Sequence, residues 1–211
     1  MNLRPEFLSP LRTLTGIDSP SGDAEGVTKA GDVMEGIFRN LGWETDRPEV
    51  GSYGRACVFR NHPESETADL MLCAHLDTVH SRGSAARYPF RIDEGLAFGP
   101  GVADDRSGLA AIAAIASGLP TAVKDRLSLK VVLTPAEEII RANTLSFSVK
   151  RPAAFPPPSF LSLDGRMAVL SGRGRGQAPS GWTSTGCRRT PETAPRMGGT
   201  RSTRWLPRYR S

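Results

Sequence analysis

The chain is short of cysteine, of histidine and of long apolar runs, and each shortage excludes something. Its three cysteines, Cys57, Cys73 and Cys187, form no CxxC pair and no even set. That usage argues against a thiolate zinc site or a disulfide framework and fits a reducing cytoplasm. No apolar run approaches the roughly 20 residues that span a bilayer. The start, MNLRPEFLSPLRTL, shows no apolar core followed by a small-residue cleavage site. A cytoplasmic protein without a membrane segment is therefore expected. Hydrophobic residues make up 38% of the 211, low for a wholly globular chain. The three histidines are His62, His75 and His80, so no imidazole follows residue 80.

What is present divides unevenly. Residues 1–138 carry 14 Lys/Arg against 20 Asp/Glu, a net of −6, whereas residues 139–211 carry 13 against 2, a net of +11. The first part has the periodicities of a folded domain. Residues 4–15 and 23–41 read as amphipathic helices, the second with Val27, Val33, Ile37 and Leu41 at helical spacing. The sequence SPSGD ahead of it supplies a turn and a polar cap. Residues 54–60, 68–75 and 127–135 have strand length, and FRIDEGLAFG (90–99) reads as a hairpin around Asp93-Glu94-Gly95. Residues 105–118 form an Ala-rich helix, apolar nearly all round and so expected to be buried. RPAAFPPPS (151–159) is a Pro-rich break, after which 160–172 reads as strand, turn and short strand. The alternation implies an α/β fold, a mixed sheet sandwiched by helices and incomplete at its C-terminal side. Residues 1–172 are expected to form that domain. Residues 173–211, rich in Arg, Gly, Pro and Thr, have no period and should form a poorly ordered basic tail.

Four polar clusters could carry chemistry, and each also has an ordinary explanation. In MLCAHLDTVH (71–80) alternate residues of a strand point to one side, which presents His75 and Asp77 together. A carboxylate beside an imidazole fixes its tautomer and leaves the other nitrogen for a metal. The ordinary alternative is a hydrogen-bonded histidine at a strand end. In GPGVADDRSGLAA (99–111) a glycine turn delivers Asp104 and Asp105 to the start of a helix. The spacing is neither GxGxxG nor GxxxxGK[ST], and two carboxylates there repel an anion and suit a cation. Simple helix caps would look the same. TPAEE (134–138) places Glu137 and Glu138 after an apolar strand, where paired glutamates are usually solvated. Asp164 in SLDG would ordinarily be a turn aspartate. Taken together, all four stand at strand ends or strand-to-helix turns, where ligands gather in α/β sheets. One imidazole with several carboxylates suits zinc or another divalent ion in a hydrolytic site, and a spare glutamate suits a general base.

In order and spacing, HLDTVH, GPGVADDRSG and PAEE, with SPSGD and the hairpin ending in FGPG, resemble a known family. It is the dinuclear zinc metallopeptidase and amidohydrolase family of carboxypeptidase G, acetylornithine deacetylase and succinyl-diaminopimelate desuccinylase. The resemblance covers residues 5–138 and extends to 160–176. It implies a zinc-dependent hydrolase that cleaves a peptide or N-acyl amino acid amide by way of a zinc-bridged hydroxide. Two divalent ions are implied, zinc first, with cobalt or manganese as substitutes. Position by position, His75 matches a ligand of one zinc and Asp77 the aspartate that orients it. Asp104 matches the carboxylate bridging both ions, Glu137 the general base, and Glu138 a ligand of the other ion. Asp164 matches a second ligand of the histidine-bound ion. Family substrates are small N-acyl amino acids or peptides with a free carboxylate. Two departures stand out. Arg106 follows the paired aspartates where the family often has lysine, which keeps the charge. Family members also continue into a lid domain and supply a last histidine ligand later in the chain, which this sequence lacks. Impaired activity, a weakened second metal site and no family-type homodimer are the expectations.

The basic tail has its own reading. With GC-rich codons read from their third base, residues 187–210 can encode a His-Ala-Gly and an amphipathic helix like the family's lid segment. Residues from about 177 onward are therefore expected to be out of frame, which would account for the charge without selection for a partner. Two alternatives stay open: a non-catalytic remnant holding one divalent ion, and a nucleic-acid-binding tail with Trp182, Trp205 and Tyr209 stacking on bases.

Overall fold

The computed structural model describes residues 4–65, 67–139, 159–164 and 167–171, the last two stretches as backbone only. Two helices open it, α1 (Pro5–Thr15) and α2 (Ala24–Asn40), followed by strands β1 (Glu44–Asp46), β2 (Cys57–Arg60) and β3 (Leu70–His75). A one-turn helix α3 (Ser84–Arg87) leads to the hairpin β4 (Arg91–Asp93) and β5 (Leu96–Phe98). Helices α4 (Ser107–Gly118) and α5 (Thr121–Lys124) precede β6 (Leu129–Thr134), β7 (Ser159–Asp164) and β8 (Met167–Ser171). Among the described residues, no helix is long and apolar enough to cross a membrane.

Local chemistry accounts for the main elements. The Asp23 carboxylate accepts the Gly26 backbone N–H at 3.2 Å, so SPSGD does end in a helix cap. Along α2, Val27, Ala30, Met34 and Phe38 recur every three to four residues and are wholly buried. Phe38 stacks on Phe59 at 4.3 Å between ring centroids and meets the edge of Trp43 at 5.0 Å, which fastens α2 to the sheet. The Arg47 guanidinium, held by Asp32 and Glu35 at 2.9 Å, closes the same junction from the rim. In the hairpin, Glu94 and Gly95 both have positive φ (48° and 80°), the turn that fits the strands' right-handed twist.

The six-stranded sheet has the order β1-β2-β6-β3-β7-β8. It is mixed: β3 runs parallel to both β6 and β7, while β1, β2 and β8 pair antiparallel to their neighbours. Leu72 and Ala74 of β3 join α1, α2 and α4 in the main apolar core through Leu14, Met34, Leu109 and Ile112. Met71 and Cys73, pointing the other way, form a second buried cluster with Val132. Three parallel strands thus finish at one edge, and His75 is paired with Thr134 there. The Pro-rich stretch up to residue 158, the tail from 173 onward and its out-of-frame reading lie outside the described residues.

The boundaries depart from the sequence reading where local pattern is weakest. The helix expected from 105 begins at Ser107, because Asp104 (φ −151°, ψ 93°) and Asp105 (φ −126°, ψ 33°) take non-helical backbone angles. β1, α3 and α5 are too short to carry a period and were not expected from it.

Candidate metal centre

The parallel edge gathers the polar residues. His75 ends β3, and the turn Pro135–Glu138 leaves β6 beside it. Asp164 ends β7, two residues beyond the Cys73–Ser162 pair, as His75 is on β3, so the two stand level along the sheet. The Gly99–Arg106 turn brings Asp104 over the same edge: Asp104 Oδ1 lies 3.0 Å from His75 Nε2.

Asp77 organises this edge. It is fully buried, and its two oxygens meet four donors. On Oδ1 these are His75 Nδ1 at 3.2 Å and the Glu137 backbone N–H at 3.0 Å. On Oδ2 they are the Ser21 hydroxyl at 2.6 Å and the Glu138 backbone N–H at 3.2 Å. One carboxylate therefore fixes the imidazole and the glutamate turn together. Burial opposes its charge, but the bond to His75, the His75 charge, the Ser21 hydroxyl and the Glu137 amide hold its pKa below the usual 3.8.

His75 is 2% exposed. Burial disfavours its charged form, yet its bonds to Asp104 and Asp77 and the nearby Asp105 charge hold its pKa well above 6.5. Glu138 is pushed the other way from most surface carboxyls: partial burial raises its pKa above 4.5, and the charges of Asp104, Glu137 and Asp77 add to that against His75. Several carboxylates crowded against one imidazole repel each other, and a cation would relieve that repulsion.

Among the described residues, His75, Asp104 and Glu138 form the one group of metal-ligand type. Their ligand atoms all lie within 4.8 Å of one another. The donor set fits a divalent ion of the zinc class: one imidazole nitrogen, carboxylate oxygens and no thiolate. The imidazole is already held through Nδ1 by a carboxylate, as ligating histidines commonly are.

The residues read as candidates from sequence are thus brought to one edge, with the Asp164 side chain outside the described atoms. Three others were not singled out for this role. Asp105 is buried and accepts the His75 backbone N–H at 3.1 Å. Arg106, 1% exposed, donates to the Leu76 carbonyl at 3.0 Å, to the Ile17 carbonyl at 3.2 Å and to the Ser19 hydroxyl. Burial lowers its pKa to about 10 against the pull of Asp77, Asp105 and Asp18. Ser21 is the third. Its only sequence signal was membership of a turn motif, because partners 56 residues apart leave no local pattern.

Gly101 makes the Asp104 turn possible. It has φ +68°, and a Cβ there would lie 2.7 Å from Thr78 Cγ2. Gly101→Ala is expected to cost about 1–3 kcal/mol, read as a lowered melting temperature; an unchanged one would show that the turn tolerates a side chain.

Known proteins resemble the chain over this region. Residues 71–154 match the model of Peptidase family M20/M25/M40, a range that contains His75, Asp77, Asp104, Glu137 and Glu138. Carboxypeptidase G2 of Pseudomonas sp. (strain RS-16) is 34% identical over 110 residues, which is 52% of this chain and 26% of that protein. Succinyl-diaminopimelate desuccinylase of Corynebacterium glutamicum is 27% identical over 175 residues, 82% of this chain and 42% of that protein. The chain therefore spans less than half the length of either. In fold it resembles human carnosine dipeptidase 1, with a TM-score of 0.57 at 15% identity, over 74% of this chain and 37% of that one.

Proposed function

From the match of residues 71–154 to the model of Peptidase family M20/M25/M40, we infer a metal-dependent hydrolase of amide bonds in small peptides or N-acyl amino acids. The observation that carries this reading is the convergence of His75, Asp104 and Glu138 ligand atoms within 4.8 Å at the end of the parallel strands. His75, Asp104 and Glu138 would hold divalent metal, with Asp104 shared between two zinc ions and Asp164 as a further ligand. When bound, such ions lower the pKa of water and polarise the carbonyl under attack. The chain's own residues supply the remainder. Asp77 holds His75 with its Nδ1 proton inward, so that Nε2 faces the site. Glu137, set in place by the bond from its amide to Asp77, takes a proton from water and passes it to the leaving amine.

In this reading residues 1–172 are the hydrolase domain and 173–211 a separate basic tail. We place the protein in the cytoplasm, consistent with Cys57 and Cys73 as free, buried thiols whose pKa burial pushes up to about 12. The full chain, incubated with zinc and a panel of N-acyl amino acids and dipeptides, is expected to release free amine. Chelator should stop that release, and added zinc restore it. A chain that neither binds zinc nor turns over any of these substrates would refute the reading.

A second reading is favoured by one observation. The described residues offer a single three-ligand group. A chain that binds one ion and hydrolyses nothing fits that count, and metal content per chain beside the turnover assay separates the two.

Metal affinity should depend on pH in a direction the site fixes. His75 and Glu138 both have raised pKa values, so each is more protonated than a free side chain at a given pH and must lose its proton to bind. Affinity should weaken as pH falls, by about tenfold per pH unit for each proton displaced. Chelator competition with cobalt between pH 8 and 6 would measure it; a flat profile would mean that His75 does not ligate.

A further inference from the structure

We propose that Ser21 is a positioning residue of the metal centre, acting through Asp77 on both His75 and the Glu137–Glu138 turn. The proposal rests on the metal reading above and assigns a residue outside the family's matched segment. Ser21 lies in the loop between α1 and α2, which is stitched to the chain just past β3. Pro20 bridges to Thr78, the Thr78 N–H donates to the Ser19 carbonyl at 2.9 Å, and the Ser21 N–H donates to the Thr78 carbonyl at 3.1 Å. Arg106 and the Ser19 hydroxyl both donate to the Leu76 carbonyl, at 3.0 and 2.8 Å, and lock the same crossing from the other side. The Ser21 backbone is therefore placed before its side chain is considered.

Its hydroxyl then donates to Asp77 Oδ2 at 2.6 Å, the shortest of the four contacts that carboxylate makes. A carboxylate with two donors on each oxygen has one orientation, since rotation about its Cβ–Cγ bond would break contacts at both ends. Without Ser21, Oδ2 keeps only the Glu138 amide at 3.2 Å. The group can then turn toward either the imidazole or the amides. His75 Nδ1 and the glutamate turn lose their common reference, and with it the spacing of the ligand atoms of His75 and Glu138. The effect belongs to ligand geometry, not to bulk stability: Ser21 is only partly buried, and its own backbone ties survive substitution.

The test uses the full chain as Ser21→Ala and Ser21→Thr, with cobalt as the probe. Cobalt affinity is read by chelator competition, ligand geometry by the visible absorption of the bound ion, and folding by circular dichroism and melting temperature. Ser21→Ala should fold, bind cobalt about tenfold more weakly and shift the absorption band. Ser21→Thr, which keeps a hydroxyl, should return both toward wild type. A folded Ser21→Ala chain with wild-type affinity and spectrum, whatever its melting temperature, overturns the proposal alone. A wild-type chain that takes up no cobalt overturns the metal reading and this proposal with it.

Discussion

Glu137→Gln should lower metal-dependent turnover by about 10²–10⁴-fold, the range that a general base contributes, while leaving metal content at the wild-type level. Glutamine keeps the shape of the side chain and the backbone N–H that Asp77 accepts at 3.0 Å, so the turn is not disturbed. Only the proton acceptor is lost. The neighbouring Glu138→Gln is the natural comparison, because Glu138 is grouped with the candidate ligands and Glu137 is not. That substitution should reduce metal binding and turnover together. If Glu137→Gln releases metal, the two glutamates have the opposite roles. If it leaves turnover unchanged, the base is another group.

Asp77→Ala should destabilise the metal-free chain by about 3–5 kcal/mol, the cost of removing one partner of a buried ion pair. It should also abolish tight metal binding. The carboxylate is fully buried and serves His75, Ser21 and the amides of Glu137 and Glu138. Alanine would leave the buried His75 Nδ1 without that carboxylate and both amides without a shared acceptor. Urea unfolding measures the loss, and a change below about 1 kcal/mol would show that water or the Asp77 carbonyl, 3.0 Å from Nδ1, replaces the side chain. The pair also sets a pH window. Asp77 has a lowered pKa, so its contribution is present above the unfolded value near 3.8 and is lost as pH falls through the folded one. His75 has a raised pKa, so its contribution is complete below 6.5 and is lost as pH rises through the folded value. Between those unfolded values both are complete, and metal-free stability should be greatest there.

The contrast between Asp77 and Ser21 shows where sequence reading stops. Asp77 was legible because it follows His75 by two residues at the end of a strand announced by its apolar run, although β3 itself stops at His75. Ser21 was visible only as part of a turn, since its partner lies 56 residues away and loop backbone has no period to extrapolate. Arg106 shows the same limit. Its charge was noted from sequence, but its work is to donate from full burial to oxygens on two other segments.

Composition and spacing narrowed the chemistry that the chain could carry. One histidine with carboxylates at strand ends, and no paired thiolates, suits zinc or another divalent cation, and the α/β alternation predicted those residues at strand ends. Strand length and apolar alternation are short-range properties, so β2, β3, β6 and the hairpin were readable to within a few residues. Only the tertiary structure decided the order β2-β6-β3-β7, which seats the glutamate turn beside His75 and levels Asp164 with it. It alone decided that a single buried carboxylate would carry four hydrogen bonds from three segments. The reason is physical: strand order and buried acceptor sharing depend on which distant surfaces pack together, and no window along the chain contains both partners.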